Sequence, residues 1–413
     1  MQAVHFRTRA IAAWLLFAMA LLAAYAQAPS AAPSGHTVVL LSLDGLRWDA
    51  PKSDNAVNLL ALGKRGVWAP AGMLPSFPAL NAPNLYTIVT GLYPGQHGIV
   101  GEAFYDPTRN ERYSADDPKS SGESAWYAGT PLWSLAESRG VRTACLGWTG
   151  CAAQIAGHRP AYFVRAETKP EAAVHQILSW LRLPADRRPR FIVARFAEPA
   201  EAARRFGPDA PQTHAAVRAI DAVLGRLIAD LKSTALPVDL VVVSDHGFAK
   251  TDGGWITLDQ YTSLAGFTSN GTFLYAKSET DRAHAYNQLK RATSEFVAYR
   301  LKDLPADLHL KSSERAGDPV IVATGAYTIR VHPPQGAADP APPRGIDGLD
   351  PQIVPEMKAI FFAAGPDIVE GKTVAPFETV HLYPWLAHLL GLNPAKSDGN
   401  LNILSGTLRD NGD

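Results

Sequence analysis

The sequence predicts an α/β fold in which a parallel-rich β-sheet is enclosed by helices on both faces. Five continuous apolar segments, rich in β-branched residues, have the length of strands that are buried on both sides. Segments with apolar residues at helical spacing lie between them, and this alternation of strands and helices is typical of parallel sheets. Acidic and histidine side chains directly follow several predicted strands, at the edge where such sheets usually bind ligands.

The first predicted strand, Thr37–Leu43, is almost entirely apolar and ends at Asp44-Gly45. Four later segments are predicted as strands because they are also continuous apolar runs. The other predicted strands are Val141–Leu146, Phe191–Phe196, Leu240–Ser244 and Ala359–Ala363. The predicted helices are Ala56–Arg65, Ala82–Thr90, Pro131–Arg139, Pro170–Leu183, Thr213–Ser233 and Val380–Leu390.

The pattern changes between about residue 250 and residue 345. The strands there are weaker, one helix is predicted near 281–302, and the segment ends in a proline-rich stretch from His332 to Arg344. We therefore expect an inserted cap subdomain that closes over the site, with the chain returning to the main sheet near residue 359. One domain then spans residues 37–395, and residues 396–413 form a C-terminal tail.

Composition excludes several classes of protein. The 413-residue chain has 39 Lys and Arg against 39 Asp and Glu, so no basic surplus indicates a nucleic acid polymer as partner. Hydrophobic residues make up 46%, which is enough for a large core and argues against intrinsic disorder. Two cysteines exclude a disulfide-rich scaffold and a multi-cysteine zinc module. A metal site would have to use Asp, Glu, His or Asn.

The N-terminus has the features of a signal peptide. Arg7 and Arg9 precede the apolar run Ile11–Ala24, and Ala24-Tyr25-Ala26 is a small-x-small cleavage site. The expectation is a signal peptide at 1–26, a flexible leader at 27–36, and export to the periplasm or the extracellular space. An uncleaved anchor is the alternative, although the apolar stretch is marginal for spanning a bilayer. No other stretch is long enough, so the mature chain is expected to have no membrane span.

Export would make a disulfide feasible. Cys145 and Cys151 lie on either side of the glycine-containing turn Gly147–Gly150. We favour a disulfide between them, and two buried thiols are the alternative.

An ordered set of motifs covers residues 37–395. They are Leu41–Trp48, Pro75–Pro94 followed by His97–Val100 and Phe104–Pro107, then Trp148–Cys151 with Gly157–Pro160, Val243–Gly247, and Met357–Pro366 followed by Val380–Gly391. Together they resemble the nucleotide pyrophosphatase/phosphodiesterase family of the alkaline phosphatase superfamily, the type I phosphodiesterases. The resemblance implies an alkaline-phosphatase-like fold and hydrolysis of phosphate diesters with two zinc ions and a Thr or Ser nucleophile.

Half of the family's site is present. Asp44 matches a metal-binding aspartate, and Asp245-His246 match an Asp-His ligand pair. Two carboxylates and one imidazole are chemically suited to zinc. The resemblance therefore implies at most one divalent metal ion, with zinc as its identity.

The residues for covalent catalysis are substituted. Asn81 stands at the position of the nucleophile, and an amide cannot form a covalent phospho-enzyme. Glu102 stands where the family has a phosphate-binding Asn, and a carboxylate should repel phosphate.

The second metal site is degenerate. Ala200 and Arg204 replace an Asp and a His ligand, and neither a methyl nor a guanidinium group binds zinc. Asp347 replaces the last His ligand, and nothing remains to complete a zinc site with it.

Neighbouring residues could substitute for the lost ligands. Glu198, Glu201 and Asp209 are close in sequence to Ala200, and Glu201 could act if the register shifts by one residue. The other candidates are His97, His158 and His214, of which His97 and His214 are interpreted as structural.

The main hypothesis is an exported pseudoenzyme that binds a phosphate ester, a nucleotide or another ligand, and a protein partner is compatible with it. A second hypothesis is a hydrolase in which Asp44, Asp245 and His246, with or without Asn81, hold one metal whose bound water attacks, with Arg204 in place of the second cation. The third is a structural protein with one metal and no small ligand.

Overall fold

The computed structural model describes residues 36–165, 169–251, 254–333 and 341–409. The predicted signal peptide at 1–26, the leader up to residue 35 and part of the proline-rich stretch lie outside the described residues. Within the described ranges, no helix combines the length and apolar character that crossing a membrane requires.

The central sheet has eight strands, numbered here in chain order. They are β1 (Thr37–Leu43), β2 (Val67–Trp68), β3 (Thr143–Leu146), β4 (Tyr162–Val164), β5 (Phe191–Phe196), β6 (Val238–Val243), β7 (Phe361–Ala364) and β8 (Lys372–Thr373). Their order across the sheet is β8-β2-β7-β6-β1-β5-β3-β4. Strand β1 lies at the centre and pairs in parallel with both β5 and β6. The carboxyl ends of these three strands therefore meet at one edge.

The sheet is mixed, because β7 runs antiparallel to β6 and β2. Apolar runs predict burial of a strand and carry no information about its direction. The predicted α/β architecture is otherwise what the structure has, with most pairings parallel.

Helices cover both faces of the sheet. The α-helices are α1 (Ala50–Ser53), α2 (Val57–Arg65), α3 (Asn81–Thr90), α4 (Pro94–His97), α5 (Pro118–Ser121), α6 (Leu132–Ser138), α7 (Pro170–Leu181), α8 (Ala200–Phe206), α9 (Pro211–Ser233), α10 (Glu279–Leu289) and α11 (Leu382–Leu389). On one face, Val38 and Leu40 of β1 share a core with residues of α3, α6 and α11. On the other face, Val39 and Leu41 share a core with α2, α7 and α9. Because both faces are covered, all seven residues of β1 are buried, and each large apolar side chain buried in this way stabilises the fold by roughly 1.5–3 kcal/mol.

The predicted insertion consists of short paired strands around α10. The pairs are Ala249–Lys250 with Gly345–Ile346, Trp255–Thr257 with Thr328–Arg330, Thr268–Ser269 with Leu274–Tyr275, and Phe296–Tyr299 with Val320–Ala323. A separate small core includes Leu258, Leu289, Phe296 and Ile321. The helix predicted to reach residue 302 ends at Leu289. Phe296 and Ala298 are buried while Val297 between them is exposed, so this segment follows the two-residue period of a strand.

Two further segments complete the fold. The strands Ala103–Asp106 and Glu111–Ser114 form an antiparallel hairpin. The predicted C-terminal tail packs on the domain as far as it is described, because Leu404 is fully buried and Trp385 Nε1 donates to Thr407 Oγ1 over 2.9 Å.

Candidate functional site

Two buried carboxylates meet at the carboxyl edge of the sheet. Asp44 follows β1 directly and Asp245 lies two residues beyond β6; they are 2% and 0% exposed. Asp245 Oδ1 accepts the backbone N–H groups of Gly45 at 2.9 Å and His246 at 3.0 Å, which ties the two strand ends together. Gly45 has a φ of +64°, and a Cβ there would lie 2.3 Å from a ring carbon of Phe248. Only glycine tolerates both the positive φ and the close approach of the Phe248 ring.

Asp44 forms an ion pair with Arg195, a residue of β5, whose Nε donates to Asp44 Oδ2. Burial and the neighbouring carboxylate of Asp245 raise the pKa of Asp44 to about 7, and the guanidinium of Arg195 opposes this rise. Arg195 is not among the site residues predicted from the sequence. The signal for it was a single charged residue inside an otherwise apolar strand, since a cation there needs a buried partner.

Asn81, at the predicted nucleophile position, is the first residue of α3 and lies against Asp245. Its side-chain Nδ2 donates to Asp245 Oδ2 over 2.6 Å. The structure therefore brings the substituted nucleophile position and the Asp245 carboxylate together. At this distance the amide acts as a hydrogen-bond donor that satisfies a buried acceptor.

Glu102 lies at the N-terminus of α3. Its Oε1 accepts the backbone N–H of Ala82 over 2.6 Å, at the helix end that favours anions. Burial raises the pKa of Glu102 to about 7, although the Ala82 N–H and Arg195 both favour the charged carboxylate. A protein carboxylate thus occupies a position suited to a ligand anion.

Arg204 and Asp347, both assigned to the degenerate second metal site, form an ion pair of 2.7 Å. Asp347 also lies 3.9 Å from His246 Nε2. His246 Nδ1 donates to the carbonyl oxygen of Gly247 at 2.8 Å, which leaves Nε2 facing Asp245 Oδ2 at 3.3 Å. Burial opposes a charged imidazole, but Asp245 and Asp347 together raise the pKa of His246.

Ala200 contributes packing. It lies near the start of α8 and is buried in a small cluster with Ala203 and Phe248. Glu201, the residue proposed to replace it after a register shift, is exposed on the same helix.

Three of the remaining candidates, Asp209, His214 and His97, have structural partners of their own. Asp209 pairs with Arg47 at 2.8 Å, and His214 pairs with Asp54 at 2.5 Å. The ring of His97 is fully buried and lies 3.0 Å from Thr87 Oγ1. Glu198 and His158 are partly buried and follow β5 and the Gly147–Gly150 turn respectively.

The residue types of Asp44, Asp245 and His246 fit zinc, but the hydrogen bonds and ion pairs of the two carboxylates do not favour it. Asp44 Oδ2 is paired with a guanidinium and Asp245 Oδ2 accepts an amide, so a metal ion that binds these two oxygens would compete with Arg195 and Asn81. Among the described residues, the one group of three potential ligands whose donor atoms lie within 4.8 Å of one another consists of His36, Asp239 and Asp367, at the other edge of the sheet.

A pocket of about 280 Å³ opens beside Asn81 and Glu102. Its wall includes four aromatic residues, Tyr113, Tyr127, Trp148 and Phe163, and two cations, Arg165 and Arg195. The Gly147–Gly150 turn also lines it, and this turn is bracketed by a disulfide between Cys145 and Cys151. The pocket thus has aromatic residues, two cations and the carboxylates of Glu102 and Asp116 in its wall.

A family model described as type I phosphodiesterase / nucleotide pyrophosphatase matches residues 38–341. The chain belongs to this family. It is 31% identical over 385 residues to an uncharacterized pyrophosphatase/phosphodiesterase of Schizosaccharomyces pombe, covering 88% of this chain and 78% of that protein. It is 29% identical to a venom phosphodiesterase of Crotalus durissus collilineatus, where 90% of this chain aligns with 46% of the relative.

Solved structures of family members share the fold. Murine ectonucleotide pyrophosphatase / phosphodiesterase 5 superimposes with a TM-score of 0.83 at 27% identity, covering 90% of this chain and all of that one. An inactive variant of the same murine protein in complex with AMP gives a TM-score of 0.84 at 27% identity, over 91% of this chain and all of that one. The predicted alkaline-phosphatase-like α/β fold and the predicted family are both confirmed, and the family's chemistry is metal-dependent.

Proposed function

We propose that this protein is an exported pseudoenzyme that binds a phosphate-containing ligand and does not hydrolyse it by the family mechanism. One observation carries the proposal. Each of the three carboxylates Asp44, Asp245 and Asp347 is paired with a donor from the protein itself. Side chains thus satisfy the acceptors that metal ions would otherwise need.

The chemistry of diester hydrolysis explains why these pairings matter. A phosphate diester is anionic and resists attack, and two metal ions lower that barrier by stabilising the attacking and leaving oxygens. The Arg195 and Arg204 guanidinium groups supply positive charge but cannot activate a nucleophile as a metal does. Asn81 also lacks the hydroxyl group that would form the covalent intermediate.

The pocket suggests a nucleoside monophosphate as the ligand class. Phe163, an exposed aromatic residue of its wall, offers a surface for a base, and the exposed Arg165 and partly exposed Arg195 can pair with a phosphate. The complex of the murine relative with AMP supports this choice. Glu102 opposes a bound phosphate by charge, so we expect affinity to be moderate.

The retained half of the site is proposed to hold at most one divalent metal ion, with zinc as its identity. Asp44, Asp245 and His246 would be the ligands. Because Arg195 competes for Asp44, binding at this site should be weak, and it should strengthen when the guanidinium is removed.

The second candidate function, hydrolysis by a single metal-bound water, is favoured by the orientation of His246. Its Nδ1 is held by the Gly247 carbonyl, which presents Nε2 to the site in the manner of many metal-ligating histidines. A structural protein with one metal and no small ligand is the third candidate, and the 280 Å³ pocket argues against it.

Export is part of the proposal. The residues that predict a signal peptide, Arg7, Arg9 and the apolar run Ile11–Ala24, precede a domain that contains a disulfide. Disulfides form and persist in oxidising compartments. The printed names of the relatives, a venom enzyme and ectonucleotide enzymes, support a periplasmic or extracellular location.

Calorimetry with AMP tests the proposed ligand, and a chromogenic phosphodiester tests for hydrolysis. We expect AMP to bind without turnover, adenosine to bind more weakly, and Arg165→Gln to weaken AMP binding about tenfold, the equivalent of about 1.4 kcal/mol. Arg218→Gln, an exposed arginine on α9, is the matched control and should have no effect.

Turnover that Asp245→Ala abolishes and Asn81→Ala leaves intact would favour the single-metal hydrolase. Absence of binding to AMP and to other phosphate esters would favour the structural protein.

A further inference from the structure

A second group of metal-binding side chains lies at the opposite edge of the sheet from Asp44 and Asp245. His36 immediately precedes β1, Asp239 is the second residue of β6, and Asp367 follows the end of β7. One ring nitrogen of His36 and one carboxylate oxygen of each aspartate lie within 4.8 Å of one another. His36 Nδ1 is 2.5 Å from Asp367 Oδ2. One potential metal ligand from β6, and one from the chain next to each of β1 and β7, thus lie close together.

The Asp239 carboxylate is buried with one oxygen unsatisfied. Asp239 is 0% exposed, and its Oδ1 accepts the backbone N–H of Asp367 at 3.1 Å. Its Oδ2 has no hydrogen-bond partner within the part of the chain that the structure describes. Gly365 packs so closely that a Cβ there would lie 2.2 Å from Asp239 Oδ1, so the backbone holds the carboxylate in place. A buried carboxylate oxygen without a partner is costly, and a proton or a cation would remove that cost.

The two carboxylates at this point lie close to each other and to the imidazole of His36, and Arg190 Nε donates to the His36 carbonyl oxygen at 3.2 Å. Burial raises the pKa of Asp239, the Asp367 carboxylate raises it further, and His36 acts in the opposite direction. A divalent cation would neutralise both carboxylates and would satisfy Asp239 Oδ2 directly.

We propose that His36, Asp239 and Asp367 form a binding site for one divalent transition-metal ion, with zinc as the preferred ion. Calcium and magnesium favour all-oxygen sites, whereas a ligand set of one imidazole and two carboxylates suits zinc, with water completing the coordination. The site lies far along β1 from Asp44, at the point where the chain enters the central strand. Its role is structural, because it joins the beginnings of β1 and β6 to the end of β7.

Zinc titration of the full chain tests this site, with Asp245→Asn as the parent so that the candidate functional site is silenced. After chelation and dialysis, the parent should bind one equivalent of zinc, and zinc should raise its melting temperature. Adding Asp239→Asn, which keeps the size of the side chain, or His36→Gln, at a partly exposed residue, should weaken binding by at least about 100-fold and abolish the thermal shift. His388→Gln, at an exposed histidine of α11, should leave both unchanged.

Two outcomes would overturn the assignment. The Asp245→Asn parent could bind no zinc, or the His36→Gln variant could bind zinc as tightly as its parent. The His36→Gln variant is included because Asp239 is buried and its replacement could impair folding. Neither outcome affects the proposed ligand pocket, since AMP binding depends on different residues and is measured separately.

Discussion

Asn81 donates a 2.6 Å hydrogen bond to the Asp245 carboxylate, so the residue at the predicted nucleophile position supports the neighbouring acidic group. Asp245 is fully buried, and its other oxygen is already occupied by the backbone N–H groups of Gly45 and His246. The residue at the predicted nucleophile position therefore supplies a donor to a buried acceptor. A substitution at Asn81 is therefore expected to change the stability of the folded protein.

Replacing Asn81 by Ala should destabilise the protein. The change removes the amide donor of Asp245 Oδ2 and leaves His246 Nε2, 3.3 Å away, beside it; losing a hydrogen bond to such a group costs on the order of 1–3 kcal/mol. Urea unfolding at neutral pH measures the difference. Asn287→Ala, at an exposed position of α10, is the matched control and should change stability little. Equal effects of the two substitutions would show that the Asn81–Asp245 contact contributes nothing.

Replacing Glu102 by Gln should strengthen phosphate binding. The Glu102 carboxylate occupies the N-terminus of α3 through Ala82, and its pKa of about 7 means that it is mostly charged at pH 8. Removing this charge should increase affinity for AMP at pH 8 about tenfold, which corresponds to about 1.4 kcal/mol. Calorimetry gives the affinities, with Glu356→Gln as an exposed control. Weaker binding in the Glu102 variant would mean that the carboxylate contacts the ligand through a hydrogen bond.

Several parts of this fold and site could be predicted from sequence. The bounds of β1 and β5 match the predicted strands because both are apolar runs buried on two faces. Asp44 and Asp245 could be placed together because parallel strands bring their carboxyl ends to one edge. The direction of β7 could not be predicted, since burial pattern is the same for either direction.

Other parts depend on tertiary pairing that local sequence does not encode. Strands of two residues, such as Val67–Trp68, are too short to show any periodicity. The Arg195–Asp44 pair joins residues 151 positions apart. The helix near 281–302 was predicted too long, because the strand Phe296–Tyr299 is too short for its two-residue alternation to outweigh the helical pattern before it.

The disulfide gives a prediction about stability and binding together. Cys145 and Cys151 are joined across the turn that lines the pocket. Replacing both by Ser should cost on the order of 2 kcal/mol, the chain-entropy value for so short a loop, and should also weaken AMP binding because the turn is less ordered. Unfolding and calorimetry measure the two effects, and reduction of the wild-type protein should reproduce them. If both thiols of the unreduced native protein react with an alkylating reagent, the bridge does not form.

His97 gives a pH-dependent prediction. The Ile99 N–H donates to its Nδ1 at 3.1 Å, and burial lowers the pKa of His97 to about 3. An unfolded histidine titrates near 6.5. The unfolded chain therefore takes up a proton below pH 6.5 that the folded protein does not, so the contribution of His97 is complete above pH 6.5 and falls as pH drops towards 3.

Comparison of unfolding free energies at pH 7 and pH 4.5 tests this sign. The wild-type protein should lose up to roughly 2.7 kcal/mol more than His97→Gln over this interval, because Gln does not titrate. His388→Gln, at an exposed histidine, should follow the wild type. A His97→Gln variant with the same loss as wild type would place a proton on His97 in the folded state.

Restoring diesterase activity should require removing Arg195 in addition to reverting the substituted residues. The sequence comparison implies the group reversion Asn81→Thr, Glu102→Asn, Ala200→Asp, Arg204→His and Asp347→His. Asn81→Thr alone should remain inactive, because loss of a nucleophile can cost on the order of 10⁶ in turnover and the second metal site would still be missing. The five changes together should also stay inactive, since the Arg195 guanidinium still pairs with Asp44.

Adding Arg195→Gln to those five should free Asp44 for a metal ion and give measurable turnover of a chromogenic diester in the presence of zinc. Arg195→Lys in the same background is the matched control, because it keeps the positive charge near Asp44 and should stay much less active. Zinc content measured in parallel should rise in the Gln variant and not in the Lys variant. Full activity of the five-fold reversion with Arg195 intact would show that the Arg195–Asp44 ion pair opens readily and does not block the site.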